Sequence, residues 1–110
     1  MTERFGLKEL VIENIRGVFA RYPQVERAVL YGSRAKGNFE NGSDIDLTLF
    51  GGEDLMRKTL HRIMDELDDL LLPYTFDLSL FSQISDIDVL DHIRRIGVVF
   101  YERDEEISNI

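Results

Sequence analysis

Two short apolar runs, each closed by glycine, constrain this chain more than anything else in it. The first, Ala28-Val29-Leu30-Tyr31, runs into Gly32-Ser33, and the second, Ile45 to Phe50, runs into Gly51-Gly52. Runs of this length, bounded by turn residues, read as buried strands. Between them Ser33 to Lys36 is expected to open a short helix or turn that Gly37 closes, and Asn38 to Gly42 is a turn-rich link.

The rest of the chain supplies partners for these strands. Met1 to Tyr22 carries Leu7, Leu10, Val11, Ile15, Val18, Phe19 and Tyr22 at spacings of three and four, which predicts an amphipathic helix. Thr2 is its candidate cap and Pro23 its stop. Asp54 to Leu72 repeats the pattern with Leu55, Leu60, Ile63, Met64, Leu67, Leu70 and Leu71, and Pro73 follows. Thr75 to Phe81 alternates Phe76, Leu78 and Leu80 with Asp77 and Ser79, a third strand. Gln83 to Ile96 predicts a further helix, with Ile84, Ile87, Leu90, Ile93 and Ile96 as its stripe and Ser82 or Ser85 as its cap. Val98 to Tyr101 is a short fourth strand, and the polar tail from residue 102 to 110 is expected to fray. The alternation gives an α/β (α+β) chain, helices against a small sheet, in a single domain spanning residues 1–110.

Composition narrows the function classes. No apolar run approaches the roughly 20 residues of a membrane span. Acidic Glu3 near the start and the lack of a long apolar core there argue against a secretory leader. Cysteine is absent, so disulfides and thiolate metal sites are excluded, and a reducing cytoplasm is the expected setting. The net charge of −8 disfavours direct contact with a nucleic-acid backbone, because the longest basic pieces are only Arg57-Lys58 and Arg94-Arg95.

Acidic residues carry the first chemical signal. With 11 Asp in the chain, an Asp-x-Asp pair arises about once by chance, and on its own such a pair reads better as a solvent-facing strand edge. The copy at Asp86-Ile87-Asp88 falls at a predicted helix start and reads as structural. Asp44-Ile45-Asp46 opens a predicted strand, where residues two apart face the same side. Two carboxylates held side by side repel, and a hard divalent cation relieves the repulsion. Asp77, unusual inside a strand, can join them on one sheet face if its strand neighbours the second.

Gly32-Ser33 carries the other signal. Glycine lets backbone approach a ligand closely, and the N–H groups of a helix start, with the Ser33 hydroxyl, suit phosphate oxygens. Arg34 and Lys36 add positive charge. Gly32 to Gly37 shares the glycine spacing of a P-loop, but Asn38-Phe39 stands where that motif needs Lys followed by Ser or Thr.

Gly32-Ser33, ten residues, Asp44-x-Asp46 and the later Asp77 together resemble the signature of the polymerase-β-type nucleotidyltransferase superfamily. The fuller wording, Gly32-Ser33-Arg34-Ala35-Lys36-Gly37 with Gly42-Ser43-Asp44-Ile45-Asp46-Leu47, is similar to its minimal nucleotidyltransferase (MNT) branch, although Lys36 stands where similar proteins often have Arg. The resemblance implies a small mixed β-sheet flanked by helices. It implies Gly32 and Ser33 on the triphosphate with Arg34 assisting, and Asp44, Asp46 and Asp77 as catalytic residues and ligands of two Mg²⁺ ions. It implies AMP transfer from ATP to a tyrosine hydroxyl of a HEPN toxin, with this chain as the antitoxin.

Two other function classes are compatible with the residues. One is nucleotidyl transfer to a small-molecule hydroxyl, which would need a pocket shared with a second chain. The other is a non-catalytic module that neutralises a toxin by contact. A glycosyltransferase is the least suited, since 110 residues leave little room for a sugar-nucleotide domain. His61 and His92 both fall in predicted helices outside the motif, where a surface or core-edge role is expected.

Overall fold

The computed structural model describes residues 3–103. A small hairpin opens the described chain: β1 (Glu3–Arg4) pairs antiparallel with β2 (Leu7–Lys8). Helix α1 (Glu9–Ala20) follows, then β3 (Val25–Tyr31), the single-turn α2 (Ser33–Lys36), β4 (Ile45–Gly51), α3 (Arg57–Asp69), β5 (Phe76–Leu80), a 3₁₀ turn at Phe81–Gln83, α4 (Ile87–Ile96) and β6 (Val98–Glu102). The four longer strands form one sheet in the order β5-β4-β3-β6. β4 and β6 flank β3 antiparallel, whereas β5 runs parallel to β4, so the sheet is mixed.

Alternation along β4 divides the sheet into two faces. Ile45, Leu47 and Leu49 point into the core, as do Leu78 and Leu80 of β5 and Ala28 and Leu30 of β3. Ile12, Ile15, Val18 and Phe19 of α1 and Ile63 and Leu67 of α3 cover them. The two helices are tied at their C-terminal ends, where Arg21 and Tyr22 both donate to the Glu66 carboxylate. Asp46, Thr48 and Phe50 take the opposite face, which α4 covers only in part. Its buried Ile93 lies there, and a Cβ on Gly97, just past the helix, would meet Val29 at 2.8 Å. The incomplete cover leaves the polar end of that face open.

Two expectations are corrected. The first helix begins at Glu9, not at residue 1, because Phe5-Gly6 takes a turn with φ of 60° and 74° and folds the preceding residues into the hairpin. Thr2, its expected cap, lies outside the described residues, as do residues 104–110 of the tail. Helix α4 is capped neither by Ser82 nor by Ser85; the Asp86 carboxylate accepts from the N–H groups of Asp88 and Val89. The second Asp-x-Asp pair is thereby a helix cap, as the sequence indicates. Among the described residues, no helix is long and apolar enough to cross a membrane.

Candidate active site

Strand directions bring the sequence motifs to one end of the sheet. β3 ends where its antiparallel neighbour β4 begins, and Tyr31 pairs with Asp46. β5, parallel to β4, begins at the same end, with Asp77 in register with Asp46. Side chains directly opposite in a ladder share a face, so Tyr31, Asp46 and Asp77 form one row across three strands. Asp44 lies two residues before Asp46, just ahead of the strand. Asp44 and Asp77 are exposed, while Asp46 is half-buried.

The Gly32 turn closes over this row. Gly32 has φ 78° and ψ −159°, a backbone that a side chain would strain. A Cβ there would also lie 2.1 Å from Oδ2 of Asp46. The absent side chain is therefore the space in which the Asp46 carboxylate sits. After Gly32 the chain turns once through α2 and ends at Gly37 in the left-handed region, φ 91°. The Gly32 carbonyl accepts the Lys36 N–H at 3.1 Å. The N–H groups of Ser33, Arg34 and Ala35 precede any intrahelical acceptor.

Crowding shows in the electrostatics. Burial pushes the Asp46 carboxyl up to about 6, and the nearby charges of Asp77 and then Asp44 push in the same direction. Burial also raises the Tyr31 phenol; a hydrogen bond with Ser79 opposes the rise, and Asp77 and Asp46 add to it. Ser79 in turn donates to Thr48 Oγ1 at 3.0 Å, one step further along the same face. A carboxylate disfavoured by its neighbours' negative charge, in an all-oxygen donor set, suits a hard divalent cation. The carboxylates crowd one edge without closing on a point: no three His, Cys, Asp or Glu side chains among the described residues are placed to hold a metal ion together. A groove of about 390 Å³ between α3 and β5, lined by His61, Ser79 and Gln83 among others, holds none of the three carboxylates.

A family profile described as "Polymerase beta, Nucleotidyltransferase" matches residues 13–106. The chain belongs to the polymerase beta nucleotidyltransferase family. Solved structures share the fold of this nucleotidyltransferase domain at low identity. One is a toxin–antitoxin crystal structure with AMP-PNP, with 18% identity over 94% of this chain and 80% of that one, at a TM-score of 0.67. Another is the complex of a tri-AMPylated Shewanella oneidensis HEPN toxin with its MNT antitoxin, with 16% identity over 92% and 76% of the two chains, at 0.63. A third is the toxin–antitoxin pair MntA-HepT, with 16% identity over 93% and 78%, at 0.63. No curated protein matches the chain.

Within this nucleotidyltransferase domain, Gly32, Ser33, Asp44, Asp46 and Asp77 come to the same end of the sheet. Arg34 stands apart from them. Its side chain is 2% exposed, and its donors go to backbone carbonyls. Nε and one terminal nitrogen donate to the Ser43 carbonyl at 3.1 and 2.9 Å, and the other terminal nitrogen donates to the Phe5 carbonyl at 2.8 Å. The guanidinium lies between the rings of Phe39 and Tyr74, 5.3 and 5.0 Å from their centroids. It therefore binds the first hairpin to the residue immediately before Asp44. The resemblance implies Arg34 assisting at the triphosphate, whereas here its guanidinium is buried on the Ser43 and Phe5 carbonyls, a placement that leaves no local signal in the sequence. His92, expected at the surface or core edge, is half-buried, and its Nε2 accepts the Gly32 N–H at 3.0 Å, a contact of which its helix sequence gives no hint.

Proposed function

We propose that this chain is a Mg²⁺-dependent adenylyltransferase that transfers AMP from ATP to a tyrosine hydroxyl of a HEPN-type toxin and serves as that toxin's antitoxin in the cytoplasm. One observation carries the reading: the Gly32 backbone rests against Oδ2 of Asp46, so the phosphate-type turn and the in-register pair Asp46–Asp77 form a single site. The family supports nucleotidyl transfer. Solved relatives of the same fold support the nucleotide and the acceptor, since one holds AMP-PNP and another contains an AMPylated HEPN toxin.

Ser33, through its hydroxyl and the unpaired N–H groups of α2's first turn, binds the β- and γ-phosphates. Asp44, Asp46 and Asp77 would hold the Mg²⁺ ions, which would supply charge stabilisation to the transferring phosphoryl group. The acceptor hydroxyl oxygen forms a bond to the α-phosphorus while the bond from that phosphorus to the β-phosphate oxygen breaks, and pyrophosphate leaves. Asp77, exposed at the start of β5, takes the hydroxyl proton. Arg34 acts at one remove, fixing the Ser43 carbonyl and thereby the approach of Asp44. Half-buried Tyr31 forms the floor between Asp46 and α4.

The test is the intact mass of a HEPN toxin incubated with this chain, Mg²⁺ and ATP. The reading predicts the gain of one or more AMP units, abolished by Asp44→Ala/Asp46→Ala with the fold retained. An unmodified toxin that is still neutralised in a stable complex would favour the contact-only antitoxin.

A further inference from the structure

Gly32 needs an external anchor. A glycine at φ 78° has no side chain to restrict it, and the turn that it starts is only one helical turn long. The structure supplies two anchors. The carbonyl of Gly32 is held by Lys36 from within the turn, and the N–H is held by His92 Nε2 from α4. An accepting Nε2 places the ring proton on Nδ1. The same imidazole meets the Tyr31 ring edge-on, with centroids 6.1 Å apart and planes at 76°. Tyr31 is the ladder partner of Asp46. One side chain thus touches the phosphate-type turn and the neighbour of the central carboxylate. It is itself set by α4 through buried Ile93, the next residue.

We infer that His92 is a positioning residue for nucleotide binding: its imidazole fixes the Gly32 peptide and so aims the first N–H groups of α2 and the Ser33 hydroxyl at phosphate. The inference rests on the nucleotidyl-transfer reading and adds a residue to it. The Gly32 N–H, already donating to His92, is not among the phosphate donors. Without the acceptor, the Gly32 peptide is freer to rotate, and ATP must order it on binding. Ordering of that kind appears as lost affinity more than as lost stability.

Two substitutions in the full chain separate the acceptor from the ring. His92→Phe keeps an aromatic edge against Tyr31 but accepts no hydrogen bond, whereas His92→Gln offers Oε1 at similar reach. Titration calorimetry with ATP and Mg²⁺ is expected to show about fivefold weaker binding for the Phe variant and most of the affinity restored in the Gln variant, the loss expected from one hydrogen bond. Amide exchange at Gly32 should be faster in the Phe variant and close to wild type in the Gln variant. A Phe variant that binds ATP like wild type, or a Gln variant that loses as much as Phe, overturns the inference while leaving nucleotidyl transfer standing. A wild-type chain that binds no ATP would instead sink the nucleotide reading itself.

Discussion

Asp46→Asn should make the metal-free protein more stable while removing its function. The folded protein raises the Asp46 carboxyl from 3.8 to about 6, through burial first and through Asp77 and Asp44 second. Because the folded value lies above the unfolded one, folding disfavours the charged form. The stability associated with this group is complete below about pH 3.8 and is lost as pH rises through about 6. A shift of about two units corresponds to about 3 kcal/mol at full strength. Asp46 is only half-buried, and solvent screening reduces the figure to about 1–2 kcal/mol. Asparagine has the same shape without the charge, so Asp46→Asn should gain about 1–2 kcal/mol at pH 8, a rise in Tm of about 4–8 °C per kcal/mol for a domain of this size. The gain should fall by about half at pH 5 and become minor by pH 4. Thermal melts in chelator at the three pH values measure it. Added Mg²⁺ and ATP should then stabilise the wild type and leave the variant unchanged. A variant no more stable than wild type at pH 8 in chelator would refute the claim that burial, with Asp77 and Asp44 beside it, disfavours the charged Asp46 carboxylate.

Three further substitutions probe the same framework. Gly32→Ala places a Cβ 2.1 Å from Oδ2 of Asp46 at φ 78°, so urea midpoints should show a loss of about 1–3 kcal/mol together with abolished ATP binding. Arg34→Lys cannot reproduce three hydrogen bonds to two carbonyls or the guanidinium contacts with the Phe39 and Tyr74 rings; it should lose about 2–3 kcal/mol in urea unfolding and most of the transfer activity. Asp86→Ala removes the α4 cap and should cost about 1 kcal/mol while leaving ATP affinity unchanged, which separates the structural Asp-x-Asp pair from the functional one.

Much of the sheet was legible because its signals are local. β3 contains the run Ala28–Tyr31 read from the sequence, and alternation along β4 puts Asp46 on the face opposite buried Ile45 and Leu47. The approach of Asp77 to Asp46 depended on β5 neighbouring β4, and the in-register pairing supplies that condition. What periodicity misjudged has a geometric cause. The stripe Ile84, Ile87, Leu90, Ile93 and Ile96 repeats every three residues, but a helix turns about 100° per residue, so such a stripe drifts by about 60° per step. It cannot stay on one face; Ile93 is buried and Ile87 is 78% exposed. Leu10 similarly fits the spacing of the first helix yet is 69% exposed, whereas Ile12, outside the stripe read from the sequence, is buried beside Ile15. The roles of Arg34 and His92 depend on partners 29 and 60 residues away, and no local pattern encodes such contacts.

In the proposed reaction the Gly32 turn and the three carboxylates act together on one nucleotide, with transfer at its α-phosphate. The most direct measurement incubates this chain and a HEPN toxin with Mg²⁺ and ATP carrying its label on either the α- or the γ-phosphorus. Nucleotidyl transfer predicts that the α-label enters the toxin, that the γ-label leaves as pyrophosphate, and that Asp46→Asn abolishes both. Incorporation of the γ-label, or α-label incorporation that survives Asp46→Asn, would contradict it.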